Sequence, residues 1–395
     1  MQHKTFLTWF TVGHLANDWP IASLWLIVPA AGVAMDLSPT EVGLLFTIFN
    51  IGGAVAFLPA GILADHASNR GRLLIATFWW VVLGYGLATL AWGYWSLALL
   101  LAVAGMGNAA WHPIAASVLS RESKEGRAHA LGIHALGGSL AEVLAPLMVG
   151  FLLVYMSWRG ALLISVIPTL LMGICFIWVA RAVPRVKKTK ISKQDMLDLL
   201  DVWRRGNGIR IVLMISLYNM ALMALLSMIP LYLTSVHDVT PETLGITFAA
   251  LLISGALAQP WVGKISDIVG RRPVLVLGNL AAGIASVALV FQPGFWTMVT
   301  AMAVAIAAAD SIRAAMLAAA VDHTDKREGT TLGLAFVLLE GVSAMGAVLA
   351  GIAASISWPH MFSLAAFFSL AAAALAAVTV FKQSPLATTD SDSVE

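Results

Sequence analysis

The chain has 395 residues, 59% of them hydrophobic and 11% charged, with a formal net charge of +2. Soluble domains run at about 45–50% apolar and about 25% charged. With a mean hydropathy of +0.87, this composition excludes a soluble enzyme, a nucleic-acid binder and a disordered scaffold. Lipid is the solvent for most of the chain. The one cysteine, Cys175, lies in the apolar run 170–179. It supports neither a disulfide framework nor a thiolate metal cluster and reads as a small core hydrophobe.

A bilayer core about 30 Å thick takes about 20 helical residues. Twelve apolar runs of that order follow one another: 6–35, 40–63, 73–92, 96–119, 129–155, 158–181, 209–236, 242–263, 273–291, 295–320, 330–356 and 358–381, numbered below as spans 1 to 12. The first is too long for a cleaved signal and continues through Trp19-Pro20, so it reads as a retained span. If the spans alternate sides from an inner start, 21 of the 23 basic residues fall on the inner side. The exceptions are Arg159, at the outer start of span 6, and Arg313, within span 10. This segregation predicts that both termini are cytoplasmic.

The sequence is written twice, at an offset of about 202 residues. Ser38-Pro39-Thr40-Glu41-Val42-Gly43 meets Thr240-Pro241-Glu242-Thr243-Leu244-Gly245. Asn17 meets Asn219, Asn108 meets Asp310, and Ser157-Trp158 meets Ser357-Trp358 with a small slip. The expected fold is therefore an all-α membrane protein. Twelve transmembrane helices form two six-helix bundles related by a pseudo-two-fold axis along the membrane normal, one of the transporter architectures. The expected organisation is an N-terminal bundle at 1–183, a cytoplasmic linker at 184–208, a C-terminal bundle at 209–382 and a disordered tail at 383–395. In the linker, Arg185-Val-Lys-Lys-Thr-Lys190 suits anionic headgroups. Asp195, Asp198 and Asp201 then alternate with Met196, Leu197, Leu199, Leu200 and Trp203, which predicts a short amphipathic surface helix.

Gly61-Ile-Leu-Ala-Asp65-His-Ala-Ser-Asn-Arg70-Gly71-Arg72 closes span 2 and opens span 3. Gly263-Lys-Ile-Ser-Asp267-Ile-Val-Gly270-Arg271-Arg272-Pro273 does the same in the other half. Glycine lets two helices approach closely, an aspartate suits a helix N-terminus, and the arginines pair with acids or sit among headgroups. Two copies at one offset resemble the loop 2–3 signature of the major facilitator superfamily and its loop 8–9 echo. The resemblance implies cytoplasmic gate loops built on Gly61, Asp65, Arg70, Arg72, Gly263, Asp267, Arg271 and Arg272. His66 stands where the family commonly has a basic residue.

Three further elements narrow the resemblance. They are His14-Leu-Ala-Asn17-Asp18 with Pro29, then Gly105-Met-Gly107-Asn-Ala-Ala-Trp-His112-Pro113, and then His134-Ala-Leu-Gly137-Gly138 with Leu144-Ala-Pro146. Together they are similar to the fosmidomycin-resistance-like branch, drug-efflux proteins of bacterial inner membranes. The last element also resembles the superfamily's antiporter signature, with Ala145 in place of its glycine.

Ionisable side chains inside a span are costly and mark functional positions. His14, Asn17 and Asp18 share one face of span 1 at i, i+3 and i+4. Asp18 reads either as a proton-carrying carboxylate or as a hydrogen-bond clamp to His112 or His134. Asn108, Trp111 and His112 share a face of span 4 next to Pro113, which distorts the helix. His112 is placed to line a cavity, and Trp111 either stacks on a ligand or fills space between helices. His134 and Glu142 lie two turns apart on span 5, with Glu142 a second candidate proton carrier. On span 10, Asp310 and Arg313 are a self-neutralising pair, or else Arg313 receives an anionic substrate group. Glu340 on span 11 is an alternative partner for Arg313. Tyr218, Asn219 and Gln259 are uncharged cavity candidates placed by the repeat.

No phosphate-cradling lysine loop supports ATP drive. No His and acid spacing along the chain reads as a metal site, no serine elbow appears, and no cofactor is expected. These features predict a secondary transporter rather than an enzyme. It would move a small organic molecule, a drug or metabolite with anions among the candidates, by proton-coupled alternating access. Efflux by antiport across the bacterial inner membrane is the leading reading. Uptake of a small organic anion by proton symport is the alternative, and a non-transporting membrane sensor on the same scaffold is a third. Expected partners are the substrate, protons and membrane lipids, with no nucleic acid, and the expected state is a monomer.

Overall fold

The computed structural model describes residues 3–122, 127–185, 203–204, 206–324 and 337–381. These residues are almost entirely helical. In chain order the helices are α1 His3–Ala34, α2 Pro39–His66, α3 Arg70–Ala88, α4 Tyr94–Glu122, α5 Arg127–Tyr155, α6 Trp158–Ser165, α7 Ile167–Val179, α8 Asn207–His237, α9 Pro241–Val269, α10 Arg271–Val290, α11 Phe295–Ser311, α12 Arg313–Thr324, α13 Met345–Ile356 and α14 Trp358–Val378. A 3-10 turn follows α7 at Ala180–Ala182, and a π-helical turn spans Val337–Val342.

Helix is what lipid imposes, because every backbone N–H and C=O must find a partner within its own segment. Pro20, Pro29, Pro59, Pro113, Pro146, Pro230 and Pro260 lie inside helices, as membrane helices tolerate where neighbouring helices and side chains re-satisfy the freed carbonyls. Among the described residues, ten helical stretches are long and apolar enough to cross a membrane, and Met345–Ile356 is a shorter apolar helix. Helix α1, with 32 residues, is not among the ten. Its middle carries His14, Asn17, Asp18 and Pro20, which dilute its apolar content.

The expected spans map onto these helices with three differences. Span 6 is divided at Val166 into α6 and α7, where Pro168 stands in the first turn of the second helix and has no N–H to continue the first. Span 10 is divided at Ile312 into α11 and α12. There Ser311 donates its hydroxyl to the Ala308 carbonyl at 3.0 Å, a back-bond of the kind that bends helices. Of span 11, the described part is the π-helical turn and α13. The amphipathic linker helix, apart from Trp203, and the tail lie outside the described residues.

Two compact units result. One comprises Met1–Leu37, Leu44–Ile191 and Pro230–Ala249, and the other Ser38–Gly43, Ser192–Ile229 and Ala250–Glu395. In the first unit α1 packs on α5 and α3 on α4, and in the second α10 packs on α14 and α11. Phe10, Phe78, Trp111 and Phe176 form an aromatic core in the first unit, with ring centroids 4.7–6.0 Å apart.

Each unit has several glycines with no room for a Cβ, and one such contact in each is related to the other by the repeat. In the first, a Cβ on Gly150 would lie 2.7 Å from Gly245 Cα and from the Pro241 carbonyl oxygen. In the second, a Cβ on Gly351 would run into the Pro39 carbonyl oxygen. The 202-residue register relates Pro39 to Pro241 and, slipped by one, Gly150 to Gly351.

Candidate functional site

The first cluster lies within the first unit, where α1, α4 and α5 meet. Helical spacing brings His14, Asn17 and Asp18 onto one face of α1. Asp18 Oδ2 lies 3.0 Å from His14 Nε2, and Asp18 Oδ1 lies 3.5 Å from His112 Nε2 of α4. Two amides hold the same carboxylate: Asn17 Nδ2 donates to Oδ1 at 2.9 Å and Asn108 Nδ2 at 3.2 Å. Asn108 Nδ2 also donates to the Asn17 carbonyl at 3.0 Å, and Asn17 Nδ2 donates to the Asn108 carbonyl at 3.4 Å. This reciprocal clasp sets the register of α1 against α4.

Helix α5 supplies the other wall. His14 Nδ1 lies 2.9 Å from the His134 carbonyl oxygen, and the two rings stack at 4.3 Å. His134 Nδ1 lies 3.1 Å from the Phe10 carbonyl oxygen, so His134 is tied to the α1 backbone rather than to Asp18. A Cβ on Gly138 would sit 2.8 Å from His14 Nε2 and 3.2 Å from Asp18 Oδ2. Glycine is therefore what leaves room for the His14–Asp18 contact. Glu142, one turn further along α5, is partly exposed and within electrostatic reach of His14 and His112.

This geometry has a chemical consequence. A carbonyl oxygen only accepts, so His14 Nδ1 carries a hydrogen. His14 Nε2 then faces a carboxylate oxygen at 3.0 Å. That contact is attractive only if one proton lies between them, on the imidazole or on the carboxyl. The side chains of His14, Asp18 and His112 retain 13%, 15% and 22% exposure, so the proton site is not sealed by protein atoms.

Trp111, the remaining α4 candidate, is fully buried among Phe10, Phe78 and Phe176, and its indole N–H has no partner among the described residues. Tyr85 of α3 was not singled out from the sequence. Its side chain is fully buried, its hydroxyl has no partner among the described residues, and it lies within electrostatic reach of Asp18. A lone tyrosine in the middle of span 3 was the available signal.

The second cluster lies within the second unit, at the break between α11 and α12. Asp310 Oδ1 and Arg313 Nη2 form an ion pair at 3.0 Å, with the acid 4% and the arginine 33% exposed. Gln259 of α9 donates to the Asp310 carbonyl at 3.1 Å. Tyr218 and Asn219 are buried on α8. Glu340 falls in the π-helical turn, and its side chain lies outside the described residues.

The basic turns also close on ion pairs. Asp65, near the end of α2, lies 3.6 Å from Arg121 at the end of α4. The buried Arg70 donates to the Ala64 carbonyl, and Arg72 N–H donates to the Asn69 side chain that caps α3. In the second unit Arg271 bonds Asp267, Ser266 at 3.1 Å and Asp322 of α12 at 3.2 Å. Arg272 donates to the Thr379 carbonyl at 2.9 Å. Gly61 is buried within α2 and Gly263 lies within α9. Asp322 escaped the sequence reading, although the repeat sets it one residue out of register with Arg121, with the charges exchanged.

The sequence profile of the Major Facilitator Superfamily matches residues 10–240 and again 211–395. The chain is 26% identical over 304 residues to a probable 4-methylmuconolactone transporter of Cupriavidus pinatubonensis, covering 74% of this chain and 69% of the relative. It is 25% identical over 297 residues to a putative metabolite transport protein of Haemophilus influenzae, covering 70% of each. Its fold resembles that of a bacterial homologue of the human lysosomal transporter Spinster, solved inward-facing and unoccupied. That similarity has a TM-score of 0.79 at 17% identity and covers 95% of this chain and 96% of the other. With a duplicated helical architecture, paired basic turns and profile matches across both halves, the chain belongs to the Major Facilitator Superfamily, a multi-pass membrane transporter.

Proposed function

We propose that the protein is a proton-coupled secondary transporter of a small organic molecule. One observation carries the reading: His14 is held between a backbone carbonyl and the Asp18 carboxylate, a pair that needs one proton to hold together. Loading that proton stabilises the contact, and losing it sets a lone pair against a carboxylate. Proton occupancy thus controls how α1 is held to α4 and α5, which is the coupling a gradient-driven carrier requires. The metabolite transporters among the relatives support a small organic substrate. The His14–Asp18, His112–Pro113 and Gly137–Gly138 motifs support a place beside the fosmidomycin-resistance-like branch. Efflux by antiport in a bacterial inner membrane, with both termini cytoplasmic, is the direction that likeness favours.

A second reading, uptake of an organic anion by proton symport, is favoured by the Asp310–Arg313 pair. Arg313 keeps its charge under all conditions. A substrate carboxylate competing with Asp310 for Arg313 would free a carboxyl to take a proton.

The test is a substrate screen in proteoliposomes with an imposed pH gradient. The reading expects gradient-dependent flux of at least one small organic solute, lost in Asp18→Asn. Flux indifferent to the pH gradient, in a protein that binds and exchanges the same solute, would overturn proton coupling. Ligand binding with no flux at all would favour a sensor.

A further inference from the structure

We propose that His14, Asp18 and His112 form a binding site for a divalent transition-metal cation of the zinc, cobalt and nickel class. Chain spacing hides this site, because its donors come from two helices 94 residues apart in sequence. In space, the metal-ligating atoms of the three side chains all lie within 4.8 Å of one another. Two of the separations are 3.0 Å, His14 to Asp18, and 3.5 Å, His112 to Asp18. Zinc at about 2.0–2.1 Å from each ligand in a tetrahedron separates neighbouring ligand atoms by about 3.3 Å. The two histidines face different oxygens of the carboxylate, Oδ2 and Oδ1, so a shared ion draws His112 and the carboxylate inward.

The surroundings fit a metal. His14 Nδ1–H donates to the His134 carbonyl at 2.9 Å. Metal-ligating histidines are held by this same second contact, which orients the ring and presents the Nε2 lone pair to the ion. Asn17 and Asn108 fix the carboxylate by donating to Oδ1, which leaves Oδ2 facing His14. Two buried oxygens nearby have no partner among the described residues. One is Asn17 Oδ1, and the other is the Tyr85 hydroxyl, within electrostatic reach of Asp18. Two imidazoles and one carboxylate favour zinc, cobalt or nickel over magnesium or calcium, which prefer all-oxygen sets. Two neutral imidazoles and one carboxylate carry a single negative charge, and Glu142 brings a second within reach of both histidines. Three protein ligands leave a fourth position for water or a substrate oxygen. All three side chains keep some exposure, so protein atoms do not seal the site. A bound cation replaces the proton between His14 and Asp18, so the site holds one or the other.

This inference does not depend on transport, because binding is measured without flux. The full-length protein, purified in detergent without a polyhistidine tag, is titrated with Co²⁺ and then with Zn²⁺. The expected result is one Co²⁺ per chain, with the strong visible absorption of four-coordinate cobalt, displaced by Zn²⁺. Asp18→Asn and His112→Gln should each abolish that spectrum. His237→Ala and His360→Ala, outside the cluster, should leave it unchanged. Should a cluster variant fail to fold, as judged by size exclusion, the wild-type titration still decides. No Co²⁺ uptake, a weak six-coordinate spectrum, or an unchanged spectrum in His112→Gln would overturn the site. A wild-type protein that binds Co²⁺ but shows no flux would refute the transport reading and leave the metal site standing.

Discussion

Asp18→Asn separates the proton from the fold. The carboxylate accepts from Asn17 and Asn108 at Oδ1, lies 3.5 Å from His112 there, and faces His14 at Oδ2. An amide fits the same space in one orientation, with its oxygen toward the two asparagine donors and its nitrogen toward His14 Nε2. His14, with its hydrogen on Nδ1, then accepts through Nε2, and every hydrogen bond survives without a proton to exchange. The exchange of charge-assisted for neutral hydrogen bonds costs about 1 kcal/mol. Asp18→Ala instead leaves the Asn17 and Asn108 amides short of an acceptor, at about 1–3 kcal/mol for each unsatisfied group. Thermal melts in detergent should therefore place the asparagine variant near wild type and the alanine variant well below it. In proteoliposomes the asparagine variant should exchange substrate at equilibrium yet fail to accumulate or expel it against a pH gradient. Gradient-driven flux in Asp18→Asn, or a melting loss equal to that of Asp18→Ala, would refute the reasoning.

Three further outcomes follow from named contacts. Gly138→Ala places a methyl 2.8 Å from His14 Nε2. It should cost about 1–3 kcal/mol in a melt through overpacking and impair pH-driven flux, whereas Gly132→Ala, with nothing within 4 Å of its Cβ, should do neither. Arg313→Gln removes the ion pair of the nearly buried Asp310 and should lower the melting temperature. Adding Asp310→Asn should recover much of the loss, and binding of anionic solutes should fall far more than that of neutral ones. Asp322→Asn removes one of two acids from Arg271, and with Asp322 35% exposed the loss should be about 1 kcal/mol or less, measured by denaturation in detergent.

Much of the fold was legible because lipid enforces it. Twenty apolar residues between charged turns can be little other than a helix, and the 202-residue echo aligned the two halves. What the apolar pattern did not carry was interruption. Pro168 marks the break in span 6, but span 10 breaks at Ile312 with no proline at all, beside a serine whose hydroxyl turns back on its own helix. The site was legible where its residues share one helix. His14, Asn17 and Asp18 read as a stripe, but their meeting with His112 depends on how α1 crosses α4, which no local pattern encodes. Tyr85 shows the same limit, since an aromatic in an apolar span looks like filler until its hydroxyl is found buried with no partner among the described residues. Asp322 shows the converse, a position the repeat marked while the charge at it had changed sign.

The glycine contacts at Gly150 and Gly351 also bear on the order in which the protein can be made. The first unit is not complete until Pro230–Ala249 has been synthesised, because that segment brings the Gly245 backbone against Gly150. The second unit incorporates Ser38–Gly43, made near the start, and its close contact at Pro39 forms only when Gly351 arrives. On the ribosome, then, the N-terminal end of α2 waits through roughly three hundred residues of translation for its partner. A nascent chain halted before residue 230 would carry Gly150 uncovered. Maturation of each unit is thereby tied to synthesis of the other half, so quality control that senses exposed small-residue helix faces would detect truncation in either one.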